Sequence, residues 1–185
     1  MHTRWNQSSL KSIRMQNLTI DKFYVRPPIN YKEIIKELSL YRREDAPVKA
    51  DLTDWDVSDC YIFDELLGQL NVIYPTLEVE DLWISIYRQG DYAEAHNHNG
   101  SVWSFVWYLD ACPKCSPLIF PDIKHPWLPP EVVKPKVGNL HVFDGERIHY
   151  VTPHTCLHDR IVVSGNLVTV PESTQEEDFY QQGLV

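Results

Sequence analysis

Residues 92–110 read YAEAHNHNGSVWSFVWYLD: two histidines one residue apart, then an alternating apolar run. Within 102–109, successive side chains of a strand point to opposite faces. Trp103, Phe105, Trp107 and Leu109 then share one face, and Val102, Ser104, Val106 and Tyr108 share the other. The first face reads as core, and the second mixes small and polar groups. The same division recurs at 160–166, where Ile161, Val163 and Gly165 oppose Arg160, Val162, Ser164 and Asn166, and at 82–89, where Trp83, Ser85 and Tyr87 form the mixed set. Three strands with such a face predict either a shared polar cavity or one solvated sheet face.

Outward from this stretch, short apolar or alternating segments follow Pro75, punctuated by Pro, Gly, Asn and Asp. They predict strands near 82–89, 102–109, 117–121, 131–134, 139–143, 149–152 and 160–170. Upstream the period changes. Tyr31, Ile34, Ile35, Leu38 and Tyr41 recur at helical spacing over 31–43, with Pro27-Pro28 and Asn30 before them. A second helix is expected from about Tyr61 to Tyr74, carrying Ile62, Leu66, Leu67, Leu70 and Ile73 and ended by Pro75. The segment between, 44–59, reads as an acidic, irregular linker. The expectation is a mainly β (α+β) chain: a β-sandwich or jelly roll with helices packed on one sheet. Its 185 residues fit a single domain, 1–185, with a helical flank over 1–80, a β core over 81–170 and an acidic tail at 171–185.

Composition narrows the function classes. Apolar residues make up 43% and aromatic residues 12%, with six tryptophans, which argues against disorder, and no apolar run approaches the roughly 20 residues of a membrane span. A formal charge of −9 and a pI near 5.3 disfavour binding to a phosphate backbone. No nucleic-acid or membrane partner is expected. The N-terminal MHTRWNQSSLKSIRM lacks the apolar core of a secretory signal, so a cytoplasmic protein with reduced thiols is expected. Of Cys60, Cys112, Cys115 and Cys156, the pair at 112 and 115 forms a C-x-x-C. That spacing fits half a zinc site or a redox pair. No second C-x-x-C or H-x-x-x-H completes it, and a tight turn between two strands is the plainer reading.

Seven of the eight histidines lie between 96 and 158. Positions i and i+2 point to the same side of a strand, so His96 and His98 can present two imidazoles to one ion, with a third ligand from a distant strand. His149 stands at a predicted strand start, and Arg160 begins the next strand. An arginine in a polar cavity beside a metal suits a dicarboxylate, because its planar fork binds a carboxylate through two parallel hydrogen bonds. His125, His141, His154 and His158 read as loop or surface residues, although His141 alternates with Phe143 and could face the cavity. Arg160 could instead be an ordinary salt-bridge residue at a strand end, the lesser of the two readings.

The order IYRQGDYAEAHNHNGSVWSFVWYLD, PLIFPD, PKVGNLHVFDGERIHYVTP and DRIVVSGN resembles the double-stranded β-helix core of the Fe(II) and 2-oxoglutarate-dependent dioxygenases. The similarity is to the prolyl 4-hydroxylase-like group and the phage and bacterial oxygenases related to it, over residues 82 to 170. What the resemblance implies is a cupin-like jelly roll that uses Fe(II), O2 and 2-oxoglutarate and hydroxylates a substrate with release of succinate and CO2. Residue by residue, it implies that His96 is the first metal histidine of an H-x-D/E pattern, that His149 is the distal one, and that Arg160 pairs with the far carboxylate of 2-oxoglutarate. Tyr87 and Tyr108 match positions whose hydroxyls reach the cosubstrate, and Ser164 and Asn166 are further candidates on the face of Arg160.

Position 98 departs from the pattern, which wants Asp or Glu where this chain has His98. An all-histidine set of His96, His98 and His149 is compatible with iron. Alternatively Glu94 or Asp91 supplies the acid, or water takes the third position. The bulk of His98 disfavours a halide-binding site. Two other classes stay open: a cupin-like three-histidine metal enzyme that does not use 2-oxoglutarate, and a non-catalytic β-roll binding module. The primary substrate, a small molecule or a peptide, and the oligomeric state, for which a homodimer is compatible, are not legible in the sequence.

Overall fold

The alternation in 160–166 divides the molecule into two cores. In a computed structural model, which describes residues 19–170, Ile161 and Val163 point to one side of their strand and Arg160 and Val162 to the other. The acidic tail expected at 171–185 and the first 18 residues lie outside the described part. In chain order the elements are β1 (Asp21–Tyr24), α1 (Tyr31–Glu37), β2 (Val48–Lys49), β3 (Asp51–Leu52), α2 (Asp64–Ile73), β4 (Leu77–Tyr87), β5 (Tyr92–His96), β6 (Trp103–Asp110), β7 (Leu118–Phe120), β8 (Glu131–Val133), β9 (Asn139–Asp144), β10 (His149–Val151) and β11 (Arg160–Thr169). A 3-10 turn at Tyr61–Phe63 leads into α2.

The strands form two antiparallel sheets, a major one in the order β1-β9-β6-β11-β4-β3 and a minor one in the order β2-β5-β10-β7-β8. This is the two-sheet roll expected for the fold class. Along the centre of the major sheet, β11 runs between β4 and β6. Its outer face packs with Phe105, Trp107, Leu140 and Val142 against Ile35 of α1, Ile62 and Phe63 of the 3-10 turn, and Leu66 and Leu70 of α2. Its inner face packs with Trp83, Tyr87, Tyr108 and Phe143 against Ala93, Leu118, Phe120 and Val151 of the minor sheet. The polar cavity read from alternation therefore lies between the sheets, and the helices cover the opposite face.

Three expectations are corrected. The first helix ends at Glu37 rather than 43, because Leu38 is extended and Tyr41 exchanges backbone hydrogen bonds with Leu52 at 2.7 and 2.8 Å. Leu38 and Leu40 still pack on the helix-covered core, so an extended segment copies part of a helical period. The supposed linker at 44–59 contains β2 and β3, which join β5 and β4 respectively. Between them Ala50 is 1% exposed, and there the chain crosses from the minor sheet to the major one. Two-residue strands carry no period of their own and are held by the edges they join. Strand β1 pairs with β9, so the flank expected to be helical contributes three strands and the start of β4.

Leu66 is fully buried and Val72, on the other side of α2, is 79% exposed. Truncating a buried leucine removes its transfer free energy and leaves a cavity. Leu66→Ala should destabilise the fold by about 2–5 kcal/mol, and Val72→Ala by no more than about 0.5 kcal/mol, as read from urea unfolding midpoints.

Candidate active site

The pairing of β5 with β10 places the first two candidate residues. His149 lies opposite His96, but Val151 lies opposite Ala93, so three residues on β5 span two on β10. A bulge of this kind turns the bulged strand and re-aims its side chains. Ala93 and His96 consequently both line the space between the sheets, although their spacing would put them on opposite faces of a regular strand. His98 arrives differently from the i, i+2 expectation. The strand stops at His96, and His98 sits in the following loop, where its N–H donates to the carbonyl of Gly145 at 2.7 Å. A Cβ on Gly145 would stand 2.5 Å from the carbonyl oxygen of Ser101, so only glycine lets the 98–101 loop lie this close to the β9–β10 turn.

The ligand-capable nitrogens of His96, His98 and His149 lie within 4.8 Å of one another. Ring centroids are 4.4 Å apart for His96 and His149, 5.2 Å for His98 and His149 and 5.3 Å for His96 and His98. Two of the rings are oriented by backbone. His96 Nδ1 is 2.7 Å from the Glu94 carbonyl oxygen, and His149 Nδ1 is 2.9 Å from that of Arg147. A carbonyl can only accept, so each Nδ1 carries the proton and each Nε2 keeps its lone pair, the tautomer a metal needs. His98 is held instead by stacking on Trp83, with centroids 5.8 Å apart and planes 23° from parallel.

Burial disfavours the charged form of all three imidazoles. It lowers the pKa of His96, brings His98 down to about 4 and His149 to about 3, and the neighbouring His96 depresses the other two further. Near neutral pH the group is thus three uncharged nitrogen donors converging on one point. This donor set fits a first-row divalent ion. Neither carboxylate alternative reaches it. Asp91 receives both outer nitrogens of Arg42, at 2.8 and 3.0 Å, and the Arg88 N–H at 2.7 Å, while the Glu94 side chain is exposed.

Deeper in the same cavity lies Arg160, 1% exposed, its guanidinium carbon 4.6 Å from the Tyr87 ring centroid and 5.3 Å from that of Tyr108. Its Nε and Nη1 and the Tyr108 hydroxyl are buried without a hydrogen-bond partner among the described residues. Buried donors without acceptors are costly, and a buried cation without an anion more so. The donors here match an anionic oxygen acceptor, and a carboxylate end of 2-oxoglutarate fits them. Ser164 lines this cavity too. Asn166 does not; its amide accepts from Ser104 Oγ at 2.8 Å and donates to Asp81 at 2.8 Å, and it lies in an open cleft over the histidines with Pro47, Trp55, Trp83 and Asn97.

Several residues of the site were invisible in the sequence. Trp83 reads as plain core, and Trp55 and Val48 lie in the supposed linker, yet Trp83 stacks on His98 and meets Trp55 edge to face at 5.1 Å. His154, expected at the surface or in a loop, is buried at 1% exposure, and His141, for which the cavity face was the lesser alternative, is buried at 4%. His141 stands 6.0 Å from the Tyr108 ring, and His154 bridges the Ser116 N–H at 3.3 Å and the His158 carbonyl oxygen at 2.8 Å.

Residues 81–166 match the family model described as "Putative 2OG-Fe(II) oxygenase". That stretch, which holds most of the β core, is similar in sequence to the 2OG-Fe(II) oxygenases. No curated protein matches the chain in sequence. Solved structures share its fold. A Pseudomonas putida prolyl-4-hydroxylase is 16% identical with a TM-score of 0.63, covering 82% of this chain and 93% of its own. A viral collagen prolyl hydroxylase from Paramecium bursaria Chlorella virus-1, solved with 2-oxoglutarate, is 16% identical with a TM-score of 0.61, covering 82% and 96%. HygX from Streptomyces hygroscopicus, with nickel and 2-oxoglutarate bound, is 9% identical with a TM-score of 0.61, covering 80% and 83%. The matched family is named for Fe(II) and 2-oxoglutarate, and the convergent imidazoles and the two Arg160 nitrogens without a partner among the described residues suit them.

Two outcomes follow from the geometry of the site. Gly145→Ala should push the loop bearing His98 away and weaken Fe(II) or Co(II) binding by roughly 10-fold, as measured by metal titration. The second concerns acid. Below about pH 6.5 the unfolded chain takes up protons on these imidazoles while the folded, metal-free chain does not, so stability falls as pH drops. His98 contributes to that loss down to about pH 4, with a slope of about 1.4 kcal/mol per pH unit. In urea unfolding of metal-free protein between pH 7 and 5, His98→Gln should show a visibly shallower decline than the parent.

Proposed function

We propose that the protein hydroxylates an organic substrate, with Fe(II) held by His96, His98 and His149 and 2-oxoglutarate held by Arg160. The overall reaction balances as substrate C–H, O2 and 2-oxoglutarate giving the alcohol, succinate and CO2. The observation that carries this reading is a single cavity lined both by three converging neutral imidazoles and by a buried guanidinium, two of whose nitrogens have no hydrogen-bond partner among the described residues. Iron, when bound, supplies the activation of O2 that a protein side chain cannot.

The chain's own residues do the rest. His96 and His149 offer Nε2 because Glu94 and Arg147 carbonyls hold their Nδ1 protons, and Trp83 steadies His98 from the side. Arg160 binds one carboxylate of the cosubstrate and so directs its other end, the 2-oxo acid, towards the histidines. Tyr108 is placed to donate to the same carboxylate, and Tyr87 lies against the guanidinium, where an aromatic face favours a cation. Val106, Phe143, Val151 and Val162 wall the cavity and keep water from it. The substrate enters through the cleft bordered by Trp55, Trp83, Asn97 and Asn166, whose flat aromatic surface suits a peptide or a ring-bearing small molecule.

An all-histidine set also supports a three-histidine dioxygenase in which Arg160 binds the substrate's own carboxylate. Iron-loaded protein incubated with 2-oxoglutarate and O2 separates the two. Succinate should form even without substrate, His149→Ala should abolish both succinate and bound iron, and Arg160→Met should raise the KM for 2-oxoglutarate at least 10-fold with iron retained. No succinate from iron-replete protein sinks the 2-oxoglutarate reading.

A further inference from the structure

Folding brings a second set of soft ligands together, away from the histidines. Cys112 and Cys115 stand in the turn after β6, and Cys156 in the loop before β11; the three Sγ atoms lie within 4.8 Å of one another. Cys112 Sγ is 3.4 Å from Cys156 Sγ and 3.6 Å from Cys115 Sγ. A tetrahedral zinc ion with Zn–S bonds of about 2.3 Å holds its sulfurs about 3.8 Å apart, close to the spacing found. A disulfide would instead draw one pair together to about 2.05 Å and leave the third sulfur over.

Two backbone N–H groups face the sulfurs, while burial pushes the metal-free Cys115 thiol up to about 12. The Cys112 N–H points at Cys115 Sγ, 3.2 Å away, and the His158 N–H at Cys156 Sγ, 3.4 Å away. Such donors favour charged sulfur over neutral thiol. Cys115 is buried, and His154 cross-braces the two loops by joining Ser116 to the His158 carbonyl. His158 stands just outside the sulfur group, its Nε2 held by Asp110 Oδ1 at 2.9 Å, as carboxylates hold imidazoles that bind metals through the other nitrogen.

We propose that Cys112, Cys115 and Cys156 hold a structural Zn2+ that clamps the turn after β6 to the loop leading into β11 and Arg160. On binding, the three thiols release their protons to solvent and three Zn–S bonds form, with no change of oxidation state. The fourth position is filled by the His158 ring turning inward or by water. Sulfur ligands select zinc over iron here, while the nitrogen set is left for Fe(II). The clamp is independent of the reaction assigned to the histidines.

The test uses the whole chain carrying His96→Ala and His149→Ala, so that the imidazole group cannot hold zinc. Purified with zinc present, this protein should retain one zinc per chain by atomic emission, and its three clustered thiols should resist a disulfide reagent until a chelator removes the metal. Adding Cys112→Ser and Cys115→Ser should bring zinc to none. Should those variants fail to fold, the otherwise unchanged protein loaded with Co(II) should show thiolate-to-cobalt charge-transfer absorption. Zinc-free protein whose thiols react equally fast with and without chelator overturns the proposal, as does a Cys112–Cys156 disulfide in place of metal in freshly purified protein.

Discussion

The bulged pairing of β5 with β10 is the constraint on which the site depends. Without the extra residue on β5, Ala93 and His96 could not both face inward, and His96 would miss His149 across the ladder. The pairing also aims the Nε2 lone pairs, because the carbonyls of Glu94 and Arg147 that hold the two Nδ1 protons each lie two residues before their histidine. Ring position and tautomer therefore come from one stretch of backbone. Backbone geometry varies little once a ladder is formed, and a site set by it is more rigid than one that rests on side-chain contacts alone.

Arg160 shows how the second half of the site is maintained. A guanidinium buried at 1% exposure with two nitrogens unpartnered among the described residues is destabilising by itself, and it is held there because β11 lies inside the major sheet between β4 and β6. The register Arg160↔Tyr87, with Tyr108 opposite Val162, brings both phenol rings to its sides. The fold supplies the energy that this charge costs and leaves its hydrogen-bonding capacity for an anion. His98 is the contrasting member: it is set by a loop, by Gly145 and by stacking on Trp83, and it occupies the position at which the resembling dioxygenases carry an acid.

Legibility in the sequence followed period length. Strands β6, β9 and β11 were readable because each runs six residues or more, long enough for alternation to declare both its faces. Alternation left a shared polar cavity and a solvated sheet face open for these strands, and Trp83, Ser85, Tyr87, Arg160 and Ser164 line the space between the sheets. Strands β2 and β3 were hidden, since two residues show no period, and β1 was hidden because its four residues carry two charged or polar positions and its partner is more than a hundred residues away. The site was legible as residue types in order, His96, His98, His149 and Arg160, and not as geometry.

By itself the sequence determined the two-faced strands, the helices that cover one face, and the supply of imidazole, guanidinium and thiol groups, because these depend only on local periodicity and residue chemistry. The tertiary structure decided which of those groups meet. It placed His98 through a loop contact rather than through strand alternation, withdrew Asn166 into a chain with Ser104 and Asp81, and joined Cys156 to a C-x-x-C that looked incomplete. The reason is physical: contacts between groups 40 or more residues apart are set by sheet register, by bulges in the ladders and by loop packing, none of which leaves a mark in the spacing of residues along the chain.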